Sequence, residues 1–365
     1  MRNVALDLAV RKIAFCEVTG GQVLRRLTVS SITALEEELG PEAPPAKVAI
    51  ESCREAWHVH DLLSSWGNQV LLVDTTRSRQ LGIGQHGRKT DRIDAEVLAR
   101  AVERGGIPAA HLLSAPRRQL RLELSIRRAL VETRAQYVTT VRGLARAHGQ
   151  LIRRCASSSF VEVARHCGLP PETRALVEPL LEVLELLDRK IADADARLEQ
   201  IAKTEPVIDL LATVPGVGPI VASAFVSVID DAGRFRNGHQ VSAYLGLVPR
   251  EDSSGGDAQR LGHITKQGNS YVRWLLVQAA WSLIRSQRVK DNALCEWGHR
   301  VAKRRGKRIA TVALARRLCG VLWAMWRDGT AYSARFTPIT PSLEPHPTGL
   351  QAVADSSFSS HPSSS

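Results

Sequence analysis

The chain has 365 residues, 44% hydrophobic and 24% charged, enough apolar material for two or three domains and far from a disordered composition. Its net charge of +12, with arginine far outnumbering lysine, points to a polyanionic partner, because the planar guanidinium binds phosphate bidentately. No amphipathic anchor and no spanning run of about 20 apolar residues stands out, which argues against a membrane protein; six scattered cysteines with no C-x-x-C pair argue against a disulfide framework or a zinc site. The first residues enter a strand pattern directly, so no signal peptide is expected and the chain reads as cytoplasmic.

Residues 4–8, 13–18 and 22–28 are patterned as strands, with Gly20 and Gly21 turning the second hairpin. A short helix is expected over 31–39, a strand over 48–51, a helix over 55–66, a strand over 69–73 and a helix over 90–103. The succession β-β-β-α-β-α-β-α is that of a ribonuclease-H-like α/β domain. Four acids punctuate it. Asp7 closes the first strand, Glu51 closes the fourth, and Asp91 and Asp94 stand three apart in Lys89-Thr90-Asp91-Arg92-Ile93-Asp94-Ala95, where a helix opens. A carboxylate at the end of a buried strand is costly unless its charge is compensated. Two such strand ends and an i,i+3 pair can converge on divalent ions. Oxygen-only ligands suit Mg²⁺, or Mn²⁺ in its place, and two ions about 4 Å apart are a common device of phosphodiester chemistry. Taken one at a time, each acid could equally be a solvated strand end or a helix N-terminal charge.

The chain changes character after residue 110. Between positions 117 and 154 there are ten arginines against two glutamates, on a helical stripe of Leu120, Leu124, Val131, Val138 and Val141. This one-signed helix is expected to face a nucleic-acid backbone. Beyond a break at 167–171, Leu180, Leu184, Leu187, Ile191, Ala194, Leu198 and Ile201 alternate by four and three. Such a seam serves a coiled coil between chains or a helical hairpin within one. Residues 111–205 therefore read as a helical linker.

A further, mainly helical domain is expected over 206–335. Val214-Pro215-Gly216-Val217-Gly218-Pro219 before an apolar helix has the look of a helix-hairpin-helix, whose glycines and helix N-terminus can approach a phosphate. Residues 300–317 carry eight Lys or Arg and no acid, the densest positive run in the chain. Residues 336–365 are Ser/Pro-rich and read as a disordered tail without chemistry. A second chemical centre lies before the basic run. Ser253 and Ser254 precede Gly255 and Gly256, and Arg260, His263 and Lys266 follow closely. A serine that attacks a phosphodiester needs such cations to neutralise developing charge; a flexible Ser-Ser-Gly-Gly turn has the same composition.

Taken together, Asp7, Glu51, the Thr90-Asp91-x-x-Asp94 segment, Val-Pro-Gly-Val-Gly-Pro, Pro249-Arg250-Glu251-x-Ser253-Ser254-Gly255-Gly256 and Leu261-Gly262-x-Ile264-Thr265-Lys266-x-Gly268-Asn269 resemble the DEDD-type transposases of the insertion-sequence one-ten family, with which the Piv-type DNA invertases belong. The resemblance runs from about residue 3 to about residue 327. It implies an N-terminal RuvC-like domain over 1–110 whose tetrad Asp7, Glu51, Asp91 and Asp94 holds Mg²⁺. It implies a long helical segment, and a C-terminal transposase domain with a serine that becomes linked to DNA: Ser254 by spacing from the preceding proline, Ser253 by analogy with Ser-Thr-Gly-Gly relatives. It further implies a structured non-coding guide RNA that pairs with donor and target DNA, and a homo-oligomer, dimer or tetramer, in which one subunit's tetrad meets another's serine. Asp257-Ala258-Gln259 departs from the lysine-bearing version of relatives, which makes Arg260 the substitute cation. The expected activity is DNA strand cleavage and transfer. A RuvC-like nuclease that hydrolyses DNA through the tetrad alone is the alternative.

Overall fold

Strand β1 (Arg2–Leu8) is buried on both sides at its centre, Val4-Ala5-Leu6, as a strand in the middle of a covered sheet must be. It pairs antiparallel with β2 (Ile13–Thr19), which pairs antiparallel with β3 (Gln22–Val29). On its other edge it pairs in parallel with β4 (Ala46–Glu51), and β4 with β5 (Gln69–Val73), giving the order β3-β2-β1-β4-β5. The computed structural model describes residues 1–9, 12–78, 91–251, 261–286 and 292–335. Short helices α1 (Glu36–Leu39) and α3 (Thr75–Ser78) and the longer α2 (Ala56–Ser65) and α4 (Asp91–Glu103) complete the unit. Strand and helix order match the sequence pattern; α3 is an addition.

The two faces of this sheet are filled differently. Val4, Leu6, Val48 and Ile50 point to the side of α2, where Val59 and Leu63 cover them. Ala5, Ala14 and Ala49 point to the other side, against Ala95, Leu98, Ala99 and Val102 of α4. Alanines on both surfaces let the helix lie close on the strands. Glu17, buried on the other side of the sheet with Ile13 and Phe15, is held by a bidentate contact in which Arg2 donates from Nε at 2.9 Å and from Nη2 at 2.7 Å. The guanidinium keeps the Glu17 carboxyl below its usual range. A depressed carboxylate contributes stability that is complete above its unfolded pKa, near 4.3, and is lost as pH falls through its folded value. Glu17→Gln should therefore cost about 3 kcal/mol at pH 7 and flatten the loss of stability below about pH 4.5. Urea midpoints from pH 7 to pH 3 check this; parallel curves for variant and parent would refute it.

The chain divides into two units, Met1–Leu122 and Glu123–Ser365, and passes from one to the other within α5 (Ala115–Ala147). In the first unit Arg118 Nη1 donates to Asp61 Oδ2 at 2.6 Å, and the Arg121 guanidinium lies 5.2 Å from the Trp57 ring centre. In the second, α6 (Phe160–Arg165) and α7 (Pro171–Thr204) follow, and α5 and α7 run antiparallel. Arg197 reaches Glu123, Arg127 reaches Asp195 and Arg134 reaches Asp188, so the partners advance along one helix as they retreat along the other. Val141 and Ala145 share a core with Phe160, Val177, Leu181 and Leu184. Most of the apolar seam of α7 is thus buried inside the chain, and the acids of α7 answer arginines of α5. The expectation that Arg127, Arg128 and Arg134 contact a nucleic-acid backbone meets a direct competitor: Arg127 and Arg134 hold carboxylates of α7, and Arg128 donates to Glu132 at 2.7 Å.

Helices α8 (Pro206–Ala212), α9 (Pro219–Ile229) and α10 (Gly238–Tyr244), strands β6 (Pro249–Glu251) and β7 (Leu261–Ile264), and helices α11 (Ser270–Arg285), α12 (Ala293–Arg305) and α13 (Lys307–Asp328) complete the second unit. Helix α13 is long and apolar enough to cross a membrane by length and composition, but half of its apolar window is buried in the protein, where it packs on α10, α11 and α12. All six cysteines are free thiols.

Candidate active site

The alternation of side chains places three of the four acids on one side of the first sheet. In β1, Ala5 faces α4, so Asp7 does too; in β4, Ala49 faces α4, so Glu51 does too. Leu6 pairs with Ile50 in parallel register, which sets Asp7 and Glu51 side by side, one residue farther along, at the carboxyl ends of neighbouring strands. Asp94 lies one turn into α4, immediately before the Ala95–Leu98–Ala99 contact surface, and is only 6% exposed. The amino end of α4 is the favourable end of a helix for negative charge. Asp91 opens α4, and its side chain lies outside the described residues.

Carboxylate oxygens on one sheet face are the donor chemistry of a hard divalent cation. Among the described residues no three His, Cys, Asp or Glu side chains form a cluster able to hold a metal ion. Asp7, Glu51 and Asp94 share a face without forming such a cluster by themselves.

Ser253, Ser254 and Arg260 lie outside the described residues, but their frame does not. Strands β6 and β7 pair at Pro249–Ile264 and Glu251–Leu261, so the two ends of segment 252–260 are adjacent. The turn that follows β7 is clasped to the turn that precedes β6. Arg273 Nη1 donates to Leu245 O at 3.0 Å and Gln267 O at 2.9 Å, and Lys266 N donates to Gly246 O at 3.1 Å. At Gly268, φ is 75° and a Cβ would stand 2.0 Å from Tyr244 O, so only glycine fits. Asn269 then caps α11, its Oδ1 accepting from Tyr271 N and Val272 N at 3.0 Å. Burial lowers the pKa of Arg273, whose partners are carbonyl oxygens rather than a carboxylate. Its structural part was not apparent from sequence. Nothing local in Lys266-x-Gly268-Asn269 announces that an arginine four residues on locks the turn.

The Val-Pro-Gly-Val-Gly-Pro turn joins α8 to α9. Gly216, at φ 80°, presses on α11: a Cβ there would lie 3.0 Å from both Ala279 O and Ser282 Oγ. Its missing side chain thus serves helix packing, and α9 is buried from Ala222 to Ile229. Gly218, at the amino end of α9, has open space where a Cβ would be.

Two family models match the chain: a DEDD-type IS110 model described as Transposase over residues 4–148, and one described as Transposase IS116/IS110/IS902 family over residues 208–294. The chain is 32% identical over 297 residues to a Pseudomonas aeruginosa protein named "Probable family 20 transposase", spanning 80% of this chain and 87% of that one. It belongs to the IS110-type DEDD transposases. Transposases for insertion sequence elements IS1111A of Coxiella burnetii and IS1328 of Yersinia enterocolitica are each 29% identical, covering 76% and 87% of this chain and 77% and 94% of theirs. Membership makes the enzyme a DNA transposase, gives its N-terminal domain a RuvC-like fold and implies dependence on a divalent metal ion. The first model covers all four acids, and the second covers Ser253, Ser254 and the clasp.

Proposed function

We propose that this transposase cuts and rejoins DNA at the ends of an insertion sequence and at its target through a nucleophilic serine, Ser254 or its neighbour Ser253, together with the tetrad Asp7, Glu51, Asp91 and Asp94. The observation that supports it best is the common face shared by Asp7, Glu51 and Asp94 at the strand ends. These carboxylates would hold Mg²⁺, alone or as a pair, which would supply Lewis-acid charge for activating a hydroxyl and for neutralising a phosphorane-like transition state. The protein's own part is to hold the carboxylates and to present the serine. The serine oxygen–phosphorus bond forms as the bond from phosphorus to a sugar oxygen breaks. The serine proton is lost, and the released sugar oxygen ends as a hydroxyl. A hydroxyl-bearing DNA end then attacks the phosphoserine ester and restores the serine, so the number of phosphoester bonds is unchanged and no ATP is consumed. A DNA substrate that traps the first half should yield a protein–DNA adduct resistant to denaturant; free ends alone would favour hydrolysis. The family resemblance also supports a structured non-coding RNA as guide and a homo-oligomer, dimer or tetramer, as the working form. Purifying the protein with its bound nucleic acid and sequencing what accompanies it tests the guide.

For backbone binding the α12–α13 corner is the better candidate than α5. Lys303, Arg304, Arg305, Lys307 and Arg308 flank Gly306, are all exposed, and have no acidic partner among the described residues. Lysine and arginine at the end of α12 suit its dipole, but Lys307 and Arg308 stand at the start of α13, where cations are unfavourable. Helix stability therefore does not account for them, whereas phosphate binding does. Converting the five to glutamine should reduce the slope of log K against log salt by about 0.9 for each phosphate left without its cation. The same change at Arg127 and Arg134 should leave that slope unaltered and loosen the hairpin. A slope that responds to α5 but not to the corner would reverse the assignment.

A further inference from the structure

Residues 261–286, from β7 to the end of α11, contain no aspartate or glutamate and carry His263, Lys266, Arg273 and Arg285. Along α11 the buried side is Val272, Leu275, Leu276, Ala279, Ala280, Leu283 and Ile284, which packs on α9 and α13. The opposite side presents Ser270, Trp274, Gln278, Ser282 and Arg285 to solvent at helical spacing. Trp274 is the anomaly on that side, with 50% of its surface exposed. Its ring lies nearly parallel to that of Tyr271, with centroids 6.1 Å apart and planes 13° apart, and the Arg128 guanidinium sits 5.1 Å from the Tyr271 ring centre. Tyr271 is itself half-buried and fixed in the first turn that Asn269 caps. The indole is thus backed by a second aromatic ring rather than left loose.

A large exposed aromatic face on a segment without acids suits a flat apolar ligand attached to a polyanion; Asp195, which acts on Tyr271, is already paired with Arg127. Lys266 strengthens the case. It is one of two non-glycine residues with positive φ among the described residues, at 56°, exposed in the turn that leads into α11. Glycine or asparagine would hold that conformation with less strain, so backbone geometry does not account for the lysine. We infer that Trp274, supported by Tyr271, is a stacking platform for an unpaired base of a nucleic-acid strand, with Lys266 and Arg285 contacting phosphates on either side. Stacking of this kind is indifferent to sequence, since every base offers a π face. The site rests on the chain's acting on nucleic acid and is independent of which side chain is the nucleophile.

The test compares two fluorescent single-stranded probes of equal length, an oligothymidylate and an abasic one with the same phosphate backbone, bound by the full chain. The parent should prefer the base-bearing probe. Trp274→Ala should lose about tenfold in affinity for it, bind the abasic probe as the parent does, and keep the parent's salt slope; Trp274→Phe should retain most of the preference. Lys266→Gln should lower the slope by about 0.7 on both probes. The platform is refuted if Trp274→Ala binds oligothymidylate like the parent, if it weakens both probes equally, if the parent shows no preference for bases, or if the variant alters subunit assembly instead. A missing protein–DNA adduct would count against the serine mechanism and leave this inference standing.

Discussion

Asp7→Asn or Asp94→Asn is expected to reduce DNA strand cleavage by at least about a thousandfold while leaving nucleic-acid affinity within a few fold. Each change keeps the shape of the side chain and removes only a charge, so loss of activity with retained binding would report on chemistry. The stability readout is separate. Three acids on one sheet face repel one another, and Asp94 is 6% exposed, so the ionised set is costly unless a cation or other donors compensate it. The parent should therefore be stabilised by added Mg²⁺, by an amount that grows with the logarithm of its concentration. The Asp94→Asn variant should gain less stability from added Mg²⁺ than the parent does. Glu51→Gln should behave alike, because the parallel register puts Glu51 beside Asp7. Cleavage at the parental rate by either Asp variant, or undiminished cleavage in excess EDTA, would remove the tetrad from the catalytic scheme.

The sheet was readable because its signals are local. Val4, Leu6, Val48 and Ile50 alternate with Ala5 and Ala49, and an acid ends each run, so strand, face and boundary are written within a few residues. The α5–α7 hairpin was only half readable. Periodicity marks both helices, but the pairing of Arg127 with Asp195 joins positions 68 apart, and composition alone made α5 look one-signed. The opposite charges sit on another helix. The clasp is less legible still, since it depends on one guanidinium reaching two carbonyl groups and on a 2.0 Å approach that no spacing rule encodes. Trp274 carries no distinguishing signal in the sequence; only its position on the solvent side of α11 sets it apart from a core aromatic residue.

Ser254→Ala should lose the covalent protein–DNA adduct completely while keeping DNA binding, and peptide mapping of the parent adduct should place the phosphoester on Ser254 or, failing that, on Ser253. A serine hydroxyl is a weak nucleophile near neutral pH, so an adduct demands that something activate it and neutralise the charge that develops on phosphorus. On the proposed mechanism, the frame around the segment would supply the positioning half of that requirement. Pairing of Glu251 with Leu261 brings its two ends together, and the Arg273 clasp fixes the turns behind β6 and β7. Both bonds leave one nitrogen, Nη1, at the end of a long side chain, and the shorter glutamine places its donor nearer the backbone. Arg273→Gln should slow adduct formation by about ten- to a hundredfold, with a smaller effect on DNA affinity, and Arg273→Lys, whose terminal nitrogen has three donors on a stem of similar length, should restore part of the rate. The double variant Ser253→Ala/Ser254→Ala decides the chemistry. If it still exchanges DNA strands, or if the parent yields only free ends under trapping conditions, the enzyme transfers strands without a serine intermediate, and Asp7, Glu51, Asp91 and Asp94 must activate water or a DNA hydroxyl directly.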